Sequence, residues 1–200
     1  MYQPPKYKKT AFAEILPIIK ANPFATFVIQ EPLLATHIPV LVDETSEKLR
    51  FFAHIANHNE MLPFLSENQK ALLIFKSEDA YVSGSWYQKK GISTWDYAAV
   101  HVDVKIKKQT STELAQSLKN LTNHFEKNQE NPVFYESISE SEINDNFPHI
   151  TGFWLEAIDI EAVAKLHQKH SKADQLSVVR ALKKQGKSDL AKAIKKENKL

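Results

Sequence analysis

The chain has 200 residues, 42% of them hydrophobic, a formal net charge of +2 and no cysteine. That length can bury a sizeable core in one large domain, or in a main domain with an appendage. The missing thiols exclude disulfides, thiolate metal sites and cysteine nucleophiles. No apolar run approaches the roughly 18 residues that cross a bilayer, and no signal-peptide core opens the chain, so the expectation is a cytoplasmic protein with no membrane partner. Charge is unevenly placed: residues 165–200 hold eleven Lys/Arg against three Asp/Glu, and residues 1–164 hold fifteen against twenty-one. An acidic body with a basic tail can meet DNA or an acidic partner, although a solvated lysine-rich helix surface is the commoner meaning of such a tail. The four glycines cannot assemble a dinucleotide or P-loop phosphate cradle.

In chain order, residues 1–9 read as an extended arm. Thr10 can cap a helix to about Ala21, with Phe12, Ile15, Leu16 and Ile19 on one face and Pro17 expected to bend or restart it. Strands are predicted over 24–30, 34–42 and 49–55, joined as an antiparallel meander. The aromatic-rich stretch 71–106 follows, with strands at 71–75, 80–87 and 94–101. Strict alternation then sets Val100, Val102, Val104 and Ile106 against His101, Asp103, Lys105 and Lys107. Ser111 or Thr112 caps a helix to about Lys127. A last strand covers 150–158, and helices cover 171–184 and 188–195, divided by Gly186 as a C-cap. Helices interrupting about six mostly antiparallel strands imply an α+β domain on a closed or split β-barrel, with peripheral helices and a helical C-terminus.

Few motifs carry chemistry by themselves. His54 and His58 have an HxxxH spacing, but Ile55 stands where a zinc hydrolase needs glutamate, and His54 falls on a predicted strand. His167 and His170 read as exposed polar residues. Ser83-Gly84-Ser85 lacks the flanking glycines of an esterase elbow, so its hydroxyls suit ligand hydrogen bonds or a turn. No catalytic or metal-binding residue is assigned. The aromatic and hydroxyl side chains of 71–106 can fill a core or line a pocket.

Several segments, in order, resemble the PaiB family of FMN-binding negative transcriptional regulators: Met1-Tyr-Gln-Pro4, Pro23-Phe-Ala-Thr26, Ala35-Thr-His-Ile-Pro39, His54-Ile-Ala, Ala80-Tyr-Val-Ser, Ser85-Trp-Tyr87, Thr94-Trp95, Gly152-Phe153 and Lys165-Leu166 with Gln168. The resemblance implies an FMN-binding split barrel over residues 1–164, with a basic helical extension over 165–200 packed on it. It implies a homodimer holding FMN near the subunit interface. Carried onto this chain, the cofactor-binding candidates are Thr36, His37, His54, Ser83, Ser85, Trp86, Thr94, Trp95, Lys165 and Gln168. Of these, Lys165 and Ser85 are expected at anionic or hydroxyl groups, and Trp86 and Trp95 as walls. Alternative roles are an FMN-dependent oxidoreductase acting on a small molecule, or a flavin-free dimeric or DNA-associated module using lysines such as Lys183, Lys184 and Lys192.

The chain also departs from the family pattern. Asn57 replaces an arginine, Gly84 a proline in SPSWY, and Ser93 and Asp96 the first and fourth residues of PTWNY. Across GKWKLSQN, Val163 replaces a lysine and His167 a serine. Losing a cation and gaining an acid beside a phosphate is expected to weaken FMN.

Overall fold

A computed structural model describes residues 1–200. Its elements are β1 (Lys8–Lys9), α1 (Phe12–Ala21), β2 (Phe24–Ile29), β3 (Leu34–Pro39), β4 (Leu41–Val42), β5 (Arg50–Ala56), β6 (Lys70–Lys76), β7 (Ala80–Val82), β8 (Thr94–Lys108), α2 (Ser111–Glu126), α3 (Glu140–Asn146), β9 (Ile150–Lys165), α4 (Lys172–Lys184) and α5 (Ser188–Asn198). The sheet runs β3-β2-β6-β8-β9-β5-β4, with β1 on β9 and β7 on β8. No helix is long and apolar enough to cross a membrane.

The chain divides into two compact units. One comprises Pro23–Leu73 and Val102–Asp159. In it β2 and β3 form an antiparallel hairpin that sets Thr26 opposite His37 and Phe27 opposite Thr36. Strands β5 and β9 pair antiparallel with His54 opposite Gly152. Phe27 and Phe153 stack at 5.5 Å inside this unit. At its rim Arg50 grips the Asp43 carboxylate through two nitrogens, at 2.9 and 2.5 Å. Burial would raise the Asp43 carboxyl, but hydrogen bonds from Thr45 and Arg50 outweigh it and hold the group below its ordinary value.

Only Val40 separates β3 from β4, although these strands are opposite ends of the sheet order. A one-residue link cannot span a flat sheet of seven strands. The sheet must curl until its ends approach, which is the split-barrel architecture. The antiparallel pairing expected over 24–55 is present, with one change: the strand expected over 34–42 is divided at Val40 into β3, which pairs with β2, and β4, which pairs with β5, and β5 takes β9 as its other partner.

The other unit comprises Met1–Asn22, Ile74–His101 and Ile160–Leu200. Its core joins Val82 and Ala98 of the strands to Val178 and Leu182 of α4 and Leu190 and Ile194 of α5. Ser171 caps α4, its hydroxyl accepting from the Asp174 amide. Helix α1 runs through Pro17 rather than breaking there, since its buried Ile15 and Ile19 anchor it on both sides of the proline. Ala11 occupies its N-cap, not Thr10.

Three other segments differ from expectation. Residues 84–86 form a 3-10 turn rather than continuing a strand, because the Ser83 hydroxyl accepts from the Ser85 amide. The two strands expected over 94–107 are one strand of 15 residues. The last strand continues seven residues beyond 158 to end at Lys165, carried through Asp159 and Glu161 by pairing and by the wholly buried Ala162.

Candidate functional site

The start of β8 and the end of β9 meet at a groove in the unit that holds α4 and α5. The groove has a volume of about 540 Å3, and its lining includes Tyr2, Lys6, Tyr7, Thr94, Trp95 and Lys165. The Lys165 ammonium donates to the Thr94 hydroxyl and forms no ion pair. Trp95 is 54% exposed, and its ring meets the exposed Tyr81 edge-on at 6.0 Å. An exposed aromatic beside an unpaired cation is a pairing that ligand sites use, which makes this groove the candidate site.

A second cavity of about 360 Å3 shares Tyr7, Thr94 and Lys165 with the groove and adds Tyr87, Asp96, His167 and His170. Here His167 Nδ1 lies 2.7 Å from Asp96 Oδ2, with the two residues 2% and 1% exposed. A carboxylate only accepts, so Nδ1 carries the proton of that bond. His167 also has a left-handed backbone, φ 64°, which costs a residue with a Cβ about 1–2 kcal/mol. Neighbouring polar groups fix the turn. Gln175 Nε2 donates to the His167 carbonyl at 3.2 Å, Asn198 Nδ2 to the Leu166 carbonyl at 2.7 Å, and Gln168 Nε2 to the Ala164 carbonyl at 2.6 Å.

The rings of His167 and His170 stack at 4.0 Å, and Tyr87 lies 5.5 Å from the first and 5.2 Å from the second. Burial, then the neighbouring His167, lowers the His170 imidazole below its ordinary value. Burial, then the Asp96 charge, raises the Tyr87 phenol. The Tyr87 hydroxyl, Asp96 Oδ1 and His167 Nε2 are all buried with no partner in the protein. An unsatisfied buried polar group costs about 1–3 kcal/mol, so three in one unit are not incidental.

Of the sequence candidates, Thr94, Trp95 and Lys165 line the groove together. Trp86 packs against the α4–α5 core, Ser83 and Ser85 hydrogen-bond to each other at 2.8 Å, and Gln168 bonds Glu197 at 2.9 Å as well as Ala164. Thr36 and His37 lie on β3 and His54 on β5, in the other unit. His37 stacks on Phe24 at 6.0 Å, and burial lowers the His54 imidazole. Tyr7, Tyr87, Asp96, His167 and His170 were not among the sequence candidates. His167 is buried rather than exposed. The signal that could have found the pair is that positions 96 and 167 both leave the PaiB pattern, and here those two departures bond each other. Asn57, the lost arginine, is likewise satisfied locally: its amide donates to the Pro148 carbonyl at 2.8 Å and its oxygen accepts from Thr151 at 2.7 Å.

The donor set fits FMN. An unpaired ammonium and a hydroxyl suit its phosphate, and the open indole and tyrosine rings suit a flat polar ring system.

Residues 1–161 match a sequence family described as "Putative FMN-binding domain". Over 184 residues the chain is 30% identical to protease synthase and sporulation protein PAI 2 of Bacillus subtilis, covering 91% of this chain and 89% of that protein. In fold it is similar to the FAD and heme binding protein from Mycobacterium smegmatis, with a TM-score of 0.61 and 13% identity over 86% of this chain and 80% of that one. It is also similar to the flavocytochrome Anf3 from Azotobacter vinelandii, with a TM-score of 0.59 and 11% identity over 85% of this chain and 75% of that one. At those identities the structural likeness establishes the fold alone, an α+β split barrel.

Proposed function

The chain belongs to the PaiB family of FMN-binding split-barrel proteins, and on that premise we propose that it is a cytoplasmic negative transcriptional regulator. In this reading it works as a homodimer and its state is set by the flavin it holds. The observation that carries the reading is the unpaired Lys165 ammonium, bonded to the Thr94 hydroxyl and lining one groove with the exposed Trp95. Lys165 and Thr94 hold the flavin phosphate and Trp95 walls the ring system. When bound, FMN supplies reversible one- or two-electron chemistry.

A second copy of the chain covers the surface that remains. The exposed Tyr81 and Trp95 rings meet edge-on and Tyr2 lines the same groove as Trp95, an aromatic patch of the kind that partner surfaces cover. The basic extension over 165–200, with lysines such as Lys183, Lys184 and Lys192, supplies salt-dependent contact to DNA phosphates.

The test has two parts. Purified protein should carry flavin absorbance and sediment as a dimer. Selection of genomic duplex fragments by FMN-loaded and FMN-free protein should enrich a defined sequence in one state over the other. Colourless protein that FMN cannot reconstitute overturns the site, and a selection that enriches no sequence in either state overturns the regulatory role.

A further inference from the structure

The family pattern does not account for the buried pair at the second cavity. Asp96 accepts from His167 Nδ1, and the other ring nitrogen, Nε2, is buried with no partner in the protein. The Tyr87 hydroxyl, on a ring tilted 37° to His167 at 5.5 Å, is also buried without a partner. A hydroxyl both donates and accepts at a single oxygen, so it can bond His167 Nε2 and the Tyr87 hydroxyl together whichever of them gives its proton.

The rest of the lining says what carries that hydroxyl. Tyr7, Ile92 and the His170 ring add apolar and aromatic surface beside the polar Ser93, Thr94 and Lys165, and the volume of about 360 Å3 admits a single substituted ring with a polar group. We propose that this cavity binds a small phenolic compound, its hydroxyl shared between His167 Nε2 and the Tyr87 hydroxyl. Asp96 acts as a positioning residue, fixing the orientation of the imidazole ring through Nδ1. Gln175 and Asn198 position the turn from behind by bonding the carbonyls of His167 and Leu166. This inference stands on the buried pair and does not depend on the flavin reading.

The test is titration of the full chain, both FMN-saturated and FMN-free, with phenol and with anisole. Binding is followed by calorimetry and by the imidazole 15N resonances of His167. Phenol should saturate and move the His167 Nε2 resonance, and anisole, which keeps the ring and the acceptor but has no proton to give, should bind at least about tenfold more weakly, the scale of one hydrogen bond. Tyr87→Phe removes a hydroxyl that has no partner, so it should fold with unchanged or higher stability while binding phenol about tenfold more weakly. His167→Asn, which keeps a residue tolerant of positive φ, should also bind phenol about tenfold more weakly, with a loss of stability because Asp96 gives up its Nδ1 partner. Equal affinities for phenol and anisole, absence of saturable phenol binding at millimolar concentration, or unaltered phenol binding by Tyr87→Phe would each overturn the proposal. Failure here with FMN titration intact leaves the flavin reading standing.

Discussion

Lys9 and Glu197, 188 residues apart, are joined by two hydrogen bonds of 2.9 and 3.0 Å, and Glu14 adds a third to the same ammonium at 2.8 Å. Burial would lower the Lys9 ammonium, but the bonds to Glu14 and Glu197 outweigh it and raise it above its ordinary value. Glu197 also accepts from Gln168, whose own oxygen receives the Leu166 amide at 2.8 Å. One carboxylate on α5 therefore braces both β1 and the turn that presents His167. Glu197→Gln should cost about 1–2 kcal/mol of stability, read as a lower urea midpoint at unchanged m-value.

The Lys165 ammonium supplies the unpaired cation of the groove. Charge-assisted bonds to phosphate are worth about 1.5–3 kcal/mol, so Lys165→Gln should weaken FMN about 10- to 100-fold in a fluorescence titration. Thr94→Ala should weaken it less, because the hydroxyl aligns the ammonium and carries no charge of its own.

His54 predicts a pH dependence of stability in the unit that contains β5. Burial holds its folded-state imidazole below the ordinary value of 6.5. The unfolded chain therefore takes up that proton first. Its contribution to stability is complete above pH about 6.5 and declines as the pH falls through the folded-state value. His124 and His170 are lowered in the same direction, so the discriminating quantity is a difference. The fall in unfolding free energy between pH 7 and 5 should be smaller in His54→Leu than in the parent protein, as measured by denaturant titration.

Gly84 sits where a Cβ would lie 1.9 Å from the Gly91 carbonyl oxygen and 3.3 Å from the Ser93 amide nitrogen. Its own amide donates to the Ser93 hydroxyl at 2.9 Å. Gly84→Ala must displace backbone rather than a flexible side chain, and should cost about 1–3 kcal/mol by thermal or urea unfolding. Gly84→Pro, which restores the family residue, should cost more, since it also removes the amide that binds Ser93.

Local patterns made much of the fold legible. The alternation over 100–107 was readable because Val100, Val102, Val104 and Ile106 are all wholly buried. The Thr110 cap of α2, with its reciprocal Glu113 bond, lies one residue before the expected caps, since several hydroxyls compete there. Periodicity could not extend β9 to Lys165, because Asp159 and Glu161 interrupt the apolar run and the strand persists through its partners. For the site, Thr94, Trp95 and Lys165 were readable as a set only through resemblance, since Lys165 lies 71 residues after Thr94 on another strand. Nothing in the polar stretch around His167 and His170 signals that the first of them is buried. Its surroundings come from Asp96, Tyr87 and Gln175, which the fold alone gathers.

The single-residue link at Val40 also bears on self-association. Strands β3 and β4 are the two ends of the sheet order, and exposed edge strands are templates on which other copies can stack. Because one residue ties these ends together, each edge is withheld from foreign strands by its proximity to the other. Lengthening that link by a few flexible residues would leave the pairing of each strand intact yet free both edges, and should convert a well-behaved protein into one that aggregates through its backbone.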